Sequence, residues 1–223
     1  MIRFQYDSEV LKRFPNLAGG AMLGANMTNG ASPERLQQAY RTEQRKVLEK
    51  IGTTPLSEIE TLAGWRGAFR MFGVDPTQYR SASEALLRRL TKKGDIPSIN
   101  AVVDICNLVS IRYALPAAAF DLRAVQGKIT VRFATGKESF TPLGEEAGEQ
   151  PEPGEVIFSD EAGLIVARRW CWRQSAESAA QEGTQTALFT IEAQHVGGKE
   201  MVERAFQDLQ QLLEAYVGGE YLR

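Results

Sequence analysis

The 223-residue chain is long enough for one large domain or two small ones. At that size a chain buries roughly 70% of the surface its unfolded form exposes, so it needs neither disulfide nor metal to fold. Hydrophobic residues make up 43% and charged residues 24%, a globular balance that excludes extended disorder and fibrous architectures. No stretch approaches the roughly 18 consecutive apolar residues of a transmembrane helix, and the start, Met1 to Asp7, lacks the apolar core of a signal peptide. Cys106 and Cys171 form neither a disulfide framework nor a C-x-x-C pair. These features read as a cytoplasmic protein. The single histidine, His195, excludes zinc sites of the two- or three-His type. It lies in a glycine-flanked exit from an apolar run and reads as a solvated loop histidine rather than a general base.

In chain order, the first fifty or so residues read as helical. Ser32-Pro33-Glu34 is a cap with proline at the first helical position, and Leu36, Tyr40, Val47, Leu48 and Ile51 supply an apolar stripe that Gly52 ends. A second helix is predicted from Ser57 to Phe72, with Leu62, Trp65, Phe69 and Phe72 at helical spacing. Ser81-Ala82-Ser83-Glu84 is a capping box opening a helix through Leu90, closed by Gly94. The apolar run after Pro97 is ambiguous in period, but its length to Leu115 and the Ser98/Asn100 start signal favour helix. Strands follow: Lys128–Phe133, Glu155–Phe158, Leu164–Trp172 and Thr186–Glu192. The acidic, Gly/Pro-rich segment Gly144–Gly154 reads as a loop that need not be ordered. A strongly amphipathic helix carrying Val202, Phe206, Leu209, Leu213 and Val217 closes the chain, stopped by Gly218-Gly219.

Helices first, strands in the middle and a helix at the end indicate an α+β fold rather than a βαβ alternation. Gly19–Gly24 is glycine-rich but lacks the dinucleotide-binding spacing, a P-loop lysine and a convincing preceding strand. Charge is unevenly spread: residues 1–100 carry 15 Lys/Arg against 10 Asp/Glu, and the remainder 11 against 18. The densest basic stretch holds Arg80, Arg88, Arg89, Lys92 and Lys93. It serves either as a phosphate-docking surface or as a solvated helix face with cations near its C-terminus.

The segment Arg168-Arg169-Trp170-Cys171-Trp172-Arg173 concentrates three arginines and two tryptophans. As a strand it would put Arg168, Trp170 and Trp172 on one face and Arg169, Cys171 and Arg173 on the other. Two readings stand: a pocket floor where indoles stack and arginines hold phosphate or carboxylate, or core tryptophans with arginines paired to local carboxylates. Asp104, Asn107 and Ser110 share a face of the predicted helix and either satisfy buried backbone or reach a ligand. Cys106 beside them reads as a small buried hydrophobe. Glu192 ends its strand either as a carboxylate lining a pocket or as a solvated strand end.

Several ordered segments resemble a known family. Pro97-Ser98-Ile99-Asn100-Ala101-Val102-Val103-Asp104-Ile105-Cys106-Asn107-Leu108-Val109, Pro116–Asp121 and Gly127–Arg132 resemble the B3/4 editing domain in the β-subunit of bacterial phenylalanyl-tRNA synthetase. Trp65-Arg66, Gly73–Pro76, Tyr79-Arg80, Ser83–Arg89 and Arg169–Gln174 resemble free-standing members of that family. The resemblance implies a three-layer β/β/α sandwich: a single domain over 1–223, with an N-terminal helical extension (1–57), a core (58–198) and a C-terminal helix (199–217). It further implies a trans-editing deacylase acting on the 3′ end of aminoacyl-tRNA, with no cofactor, no metal, and neither DNA nor a membrane as partner. In that reading Asn107 matches the family asparagine lining the editing pocket and is the candidate catalytic residue. Trp170 and Trp172 stack on the adenine or the side chain, Arg169 and Arg173 hold terminal phosphates, Glu192 reads the amino group, and Arg80, Arg88, Arg89, Lys92 and Lys93 contact the tRNA body. Two departures stand out. Ala118 occupies the position of a family histidine, and the Arg168–Arg173 segment replaces a glycine-rich pocket loop. A non-catalytic module binding a free amino acid, nucleotide or RNA is the alternative.

Overall fold

The computed structural model describes residues 4–145 and 147–223. A five-stranded sheet runs in the order β1 (Phe4–Tyr6), β4 (Ile129–Phe133), β5 (Val156–Ser159), β6 (Ile165–Arg168), β7 (Arg173–Gln174). Its β1–β4 pair is parallel and the rest antiparallel. A four-stranded antiparallel sheet runs in the order β3 (Ala117–Asp121), β8 (Ala187–Ala193), β2 (Ala18–Ala25), β9 (Glu220–Leu222). The helices are α1 (Ser8–Arg13), α2 (Glu34–Ile51), α3 (Glu60–Met71), α4 (Ala82–Lys93), α5 (Ala101–Tyr113) and α6 (Gly198–Tyr216).

The period-two alternation of β8 builds both sides of the sandwich. Phe189, Ile191 and Ala193 point into a core shared with α5 and α6. Leu188 points the other way, into a core with Phe120, Val131, Phe158, Trp65 and Trp170 that joins the two sheets to α3. A third cluster, including Tyr40, Leu62, Leu87, Leu90 and Leu108, packs α2, α3 and α4 on the outside of α5. The result is a sheet, a second sheet and a helical layer, as the three-layer expectation had it.

Several boundaries depart from the sequence expectations for identifiable reasons. The first 57 residues are not only helical. They contribute β1, at an edge of the first sheet, and β2, which lies between β8 and β9 in the second. The glycines of β2 hid it, because Gly19 and Gly24 make room for side chains rather than for a turn. A Cβ at Gly19 would run into the Tyr6 hydroxyl and the Glu192 Cγ, and one at Gly24 would approach Phe189 to 2.8 Å and Tyr221 to 2.9 Å. Ser32 does not cap α2. Pro33 holds that position, and the Ser32 hydroxyl donates instead to Asp104 at 2.5 Å. The strand expected over Leu164–Trp172 stops at Arg168, since Arg169 and Trp170 take left-handed φ values of 44° and 60° and the chain turns back into β7. The C-terminal helix spans Gly198–Tyr216, one residue earlier at each end than expected, and a strand, β9, follows it. In the acidic loop, Glu146 lies outside the described residues, while Phe140 and Glu149 bridge.

If the β2 glycines are packing slots, Gly19→Ala lowers unfolding stability by about 1–3 kcal/mol. Gly67→Ala, in α3 where a Cβ meets nothing within 4 Å, raises it by about 0.5–1 kcal/mol. Chemical denaturation of both variants checks this, and a Gly19→Ala midpoint equal to wild type would contradict it.

Candidate functional site

A cavity of about 170 Å³ opens at the free edge of β3, between α5 and the β6–β7 turn. α5 contributes Val103, Cys106 and Asn107, and β3 and the residue before it contribute Pro116 to Phe120. The turn contributes Trp170 to Gln174, and β8 contributes Thr190 and Glu192. Of the residues singled out in the sequence, Asn107, Trp170, Trp172, Arg173 and Glu192 meet here, and Ala118 lines the same wall.

The three polar residues of α5 divide by role. Asp104 is fully buried and accepts from Ser32, Ser98 and the Ile99 N–H, the last at 2.8 Å. Ser110 donates to the Leu115 carbonyl at 2.7 Å. Both stabilise the ends of the helix. Asn107 alone of the three faces the pocket.

The β6–β7 turn is held by two buried pairs. Arg168, 3% exposed, donates through Nε to Glu155 at 2.9 Å and also to Glu149. The Trp170 indole N–H donates to both carboxylate oxygens of Glu192 at 3.1 Å. The indole is fully buried and meets Phe14 and Trp65 edge-on, with ring centroids at 4.8 and 5.2 Å. Trp170 is therefore a back wall and not the stacking surface expected from sequence. Glu192, 2% exposed, is committed to that indole and does not extend toward the pocket mouth to read an amino group.

Trp172 is the accessible aromatic. It is half-buried and packs edge-on against Tyr79 at 4.9 Å, with the guanidinium carbons of Arg169 and Arg173 each 4.7 Å from its ring. Arg169 does not line the cavity. It lies 3.9 Å over the Tyr79 ring and within 3.7 Å of Glu155, so it braces the rim. Arg173 is exposed and only loosely paired, 3.9 Å from Glu145.

The edge strand supplies donors that no side-chain pattern announces. Glu192 donates its N–H to the Pro116 carbonyl, so by antiparallel alternation Pro116, Ala118 and Phe120 turn their backbone groups to β8. Ala117, Ala119 and Asp121 turn theirs outward. The Ala119 carbonyl is taken by Gln174 at 2.7 Å and the Asp121 N–H by Ser178 at 2.8 Å. The N–H groups of Ala117 and Ala119 are left on the outer edge, in residues that line the pocket together with Asn107. Thr190, in the lining, and Tyr79, packed behind Trp172, carry no site signal of their own either. Tyr79 was visible only within the family-like Tyr79-Arg80 segment, and Thr190 only as one polar residue in an apolar strand.

Titration behaviour narrows the chemistry. Burial pushes the Cys106 thiol up to about 12. Burial and the neighbouring Glu192 carboxylate raise Cys171 well above the usual thiol range. Neither is an ionised nucleophile near neutrality. His195 lies past the end of β8, against Gly64 of α3, only 8% exposed, with Nδ1 lacking a partner. It is not a solvated loop histidine and is not part of this pocket. Burial raises Glu192 from 4.5 to about 7, against the lowering pull of the Trp170 indole and the Tyr6 hydroxyl. That hydroxyl lies beside the carboxylate without meeting hydrogen-bond geometry. Among the described residues no cluster of three or more His, Cys, Asp or Glu side chains is arranged to hold a metal, and no helix is long and apolar enough to cross a membrane.

The five basic residues of α4 and its approach separate. Arg80 lies 3.8 Å from Glu84 and Arg89 4.0 Å from Asp95. Arg88 and Lys92 face a second cleft, and Lys93 is exposed at the helix end.

With this geometry in hand, a family model described as the B3/4 domain matches residues 64–218. The chain belongs to the B3/4 domain family. It is 34% identical over 123 residues to the phenylalanine–tRNA ligase beta subunit of Idiomarina loihiensis, covering 54% of this chain and 15% of that protein. It is 37% identical over 99 residues to the beta subunit of Aquifex aeolicus, covering 44% of this chain and 13% of that one. The chain thus spans a small fraction of the curated relatives it matches. Among solved structures, an N-terminal fragment of the phenylalanyl-tRNA synthetase beta-subunit from Pyrococcus horikoshii aligns with a TM-score of 0.53 and 11% identity. That alignment covers 99% of this chain and 50% of the fragment, and the likeness is one of fold.

Since the folded-state value of Glu192 lies above its unfolded one, its contribution is full below about pH 4.5 and lost as pH rises through about 7. Relative to Glu192→Gln, which keeps an acceptor for the indole and does not titrate, the wild type loses up to about 3 kcal/mol across that window. Parallel stability–pH profiles for the two proteins would contradict the assignment.

Proposed function

We propose that this B3/4 protein is a trans-acting deacylase that hydrolyses a mischarged or non-standard aminoacyl ester from the 3′ end of tRNA. The observation that carries the reading is the pocket at the β3 edge, whose lining holds Asn107 together with Ala117 and Ala119, under a rim formed by Arg173 and by Trp172 packed on Tyr79.

An activated ester needs a positioned water and donors for the developing oxyanion more than it needs a strong base. In this reading Ala117 and Ala119 N–H receive the carbonyl oxygen as it becomes an oxyanion. The Asn107 amide orients the attacking water or the ester, and the substrate's neighbouring ribose hydroxyl shuttles the proton. The cavity, at about 170 Å³, is smaller than the roughly 300 Å³ where pockets for drug-sized ligands begin. It therefore takes an amino-acid side chain and leaves the adenosine at the mouth. There Trp172 is the one aromatic available for stacking, and Arg173 is free to meet a phosphate.

A second reading, a non-catalytic module for a free amino acid, nucleotide or RNA, draws on a specific observation. Among the described lining residues no side chain is free to act as a base, because both thiols are held neutral and Glu192 is bonded to Trp170.

Deacylation of a panel of correctly charged and mischarged aminoacyl-tRNAs separates the two. The deacylase reading expects release of one amino-acid class, a loss on the order of 100-fold in kcat/KM for Asn107→Ala, and a raised KM for Arg173→Ala. Release no faster than the uncatalysed rate for every member overturns it in favour of the binding module.

A further inference from the structure

A second concavity, of about 400 Å³, lies between the C-terminal end of α2, the loop Gly52–Ser57 and α4. Three cations converge on it: Arg66 from α3, and Arg88 and Lys92 from successive turns of α4. The carboxylate in its lining is Glu84, which is 2% exposed and already accepts from Arg66 at 2.7 Å, with Arg80 at 3.8 Å. The lining therefore carries three positive charges against one negative charge, and that negative charge is consumed in orienting Arg66. Neither Arg88 nor Lys92 makes an ion pair among the described residues, whereas their neighbour Arg89 turns to Asp95. The loop side adds the hydroxyls of Thr53, Thr54 and Ser57, donors suited to phosphate oxygens.

The position of the cleft relative to the pocket is set by one helix. Ala82 begins α4 and lines the β3-edge pocket, while Arg88 and Lys92 lie six and ten residues further along it. At the α-helical rise this is about 9 and 15 Å along the axis. Around the axis the two cations are turned about 80–120° from Ala82, so a strand whose terminal ester entered the pocket would reach them with its upstream phosphates by passing round α4.

We infer that the Arg66–Arg88–Lys92 cleft binds the phosphodiester backbone of single-stranded RNA upstream of the terminal nucleoside held at the pocket. This rests on the aminoacyl-RNA reading above, deepens it by naming a second contact, and recasts the basic α4 cluster. Arg88 and Lys92 carry the phosphate contact, while Arg80 and Arg89 are engaged in pairs within the protein.

The test measures binding of a fluorescently labelled, uncharged single-stranded RNA with the acceptor-end sequence of tRNA, between about 50 and 200 mM salt. The proteins compared are the wild type, Arg88→Gln/Lys92→Gln, and a control, Lys128→Gln/Lys137→Gln, whose lysines are exposed on either side of β4. Each phosphate contact to a single strand contributes about 0.7 to the slope of log K against log salt. The Arg88→Gln/Lys92→Gln protein is expected to bind several-fold more weakly at the low-salt end, with a slope shallower by about 1.4. The control retains the wild-type slope.

Hydrolysis is measured in parallel on aminoacyl-tRNA and on an aminoacyl-adenosine ester lacking phosphates. The double variant is expected to raise KM for the former and leave the latter unchanged. Unchanged RNA affinity and slope in the double variant, or an equal loss in the control, overturns the cleft while leaving the deacylase reading standing. A wild type that hydrolyses neither ester yet binds RNA with a slope dependent on Arg88 and Lys92 overturns the deacylase and retains the cleft.

Discussion

The hydrogen bond from the Trp170 indole to Glu192 is the contact on which the pocket depends. It ties the β6–β7 turn of one sheet to β8 of the other, deep in the layer between them. Arg169 and Trp170 occupy left-handed backbone conformations that cost about 1–3 kcal/mol each. The burial of a whole indole among Phe14, Trp65 and Phe72 offsets that cost. With the turn fixed, Trp172 and Arg173 emerge together at the rim. Beside them the N-terminal part of β3 is an open sheet edge, while its C-terminal part is bridged by Ser178 and Ala179. Gly19 belongs to the same arrangement, since only a residue without a Cβ leaves room on β2 for both the Tyr6 hydroxyl and Glu192.

The α+β class, α4 with its Ser81 cap and Gly94 stop, α5 with its Asn100 cap, and the strands β4, β5 and β8 were legible because local signals and tertiary packing agree there. What escaped the sequence has tertiary causes. The glycines of β2 read as loop because the reason for them lies on β1, β8 and β9. The Arg168–Trp172 segment reads as a strand because nothing local marks two non-glycine residues at positive φ. Asn107 was legible as a candidate from its place in an apolar helix, but its separation from Asp104 and Ser110 was not. That depends on Ser32, Ser98 and the Leu115 carbonyl being available to the other two. The outward N–H groups of Ala117 and Ala119 follow from β3 being an edge strand, a property of sheet order that leaves no trace in an alanine run.

In the proposed deacylase reading, the two concavities divide a single recognition problem by size and charge. The β3-edge pocket is small and mainly apolar, matched to one side chain and the ester beside it. The cleft along α4 is larger and carries a positive excess, matched to phosphate. At the rim of the pocket Tyr79, Trp172, Arg169 and Arg173 pack on one another, an aromatic and cationic cluster that the same reading gives to a nucleoside. An overall charge of −2 does not oppose this arrangement. What governs encounter with a polyanion is the local field, and the positive excess of the first hundred residues is carried in part by α3 and α4.

In the proposed deacylase, the acyl group of a charged tRNA end enters the pocket at the β3 edge and meets the Ala117 and Ala119 amides. The most direct measurement is a backbone amide NMR titration with a non-hydrolysable aminoacyl-adenosine in which an amide replaces the ester. Saturable shifts are expected of the Ala117 and Ala119 N–H signals and of the Asn107 side-chain amide, with Trp172 perturbed at the rim and His195 unchanged. Saturable binding that leaves Ala117, Ala119 and Asn107 unmoved, or no binding of any such analogue, would contradict it.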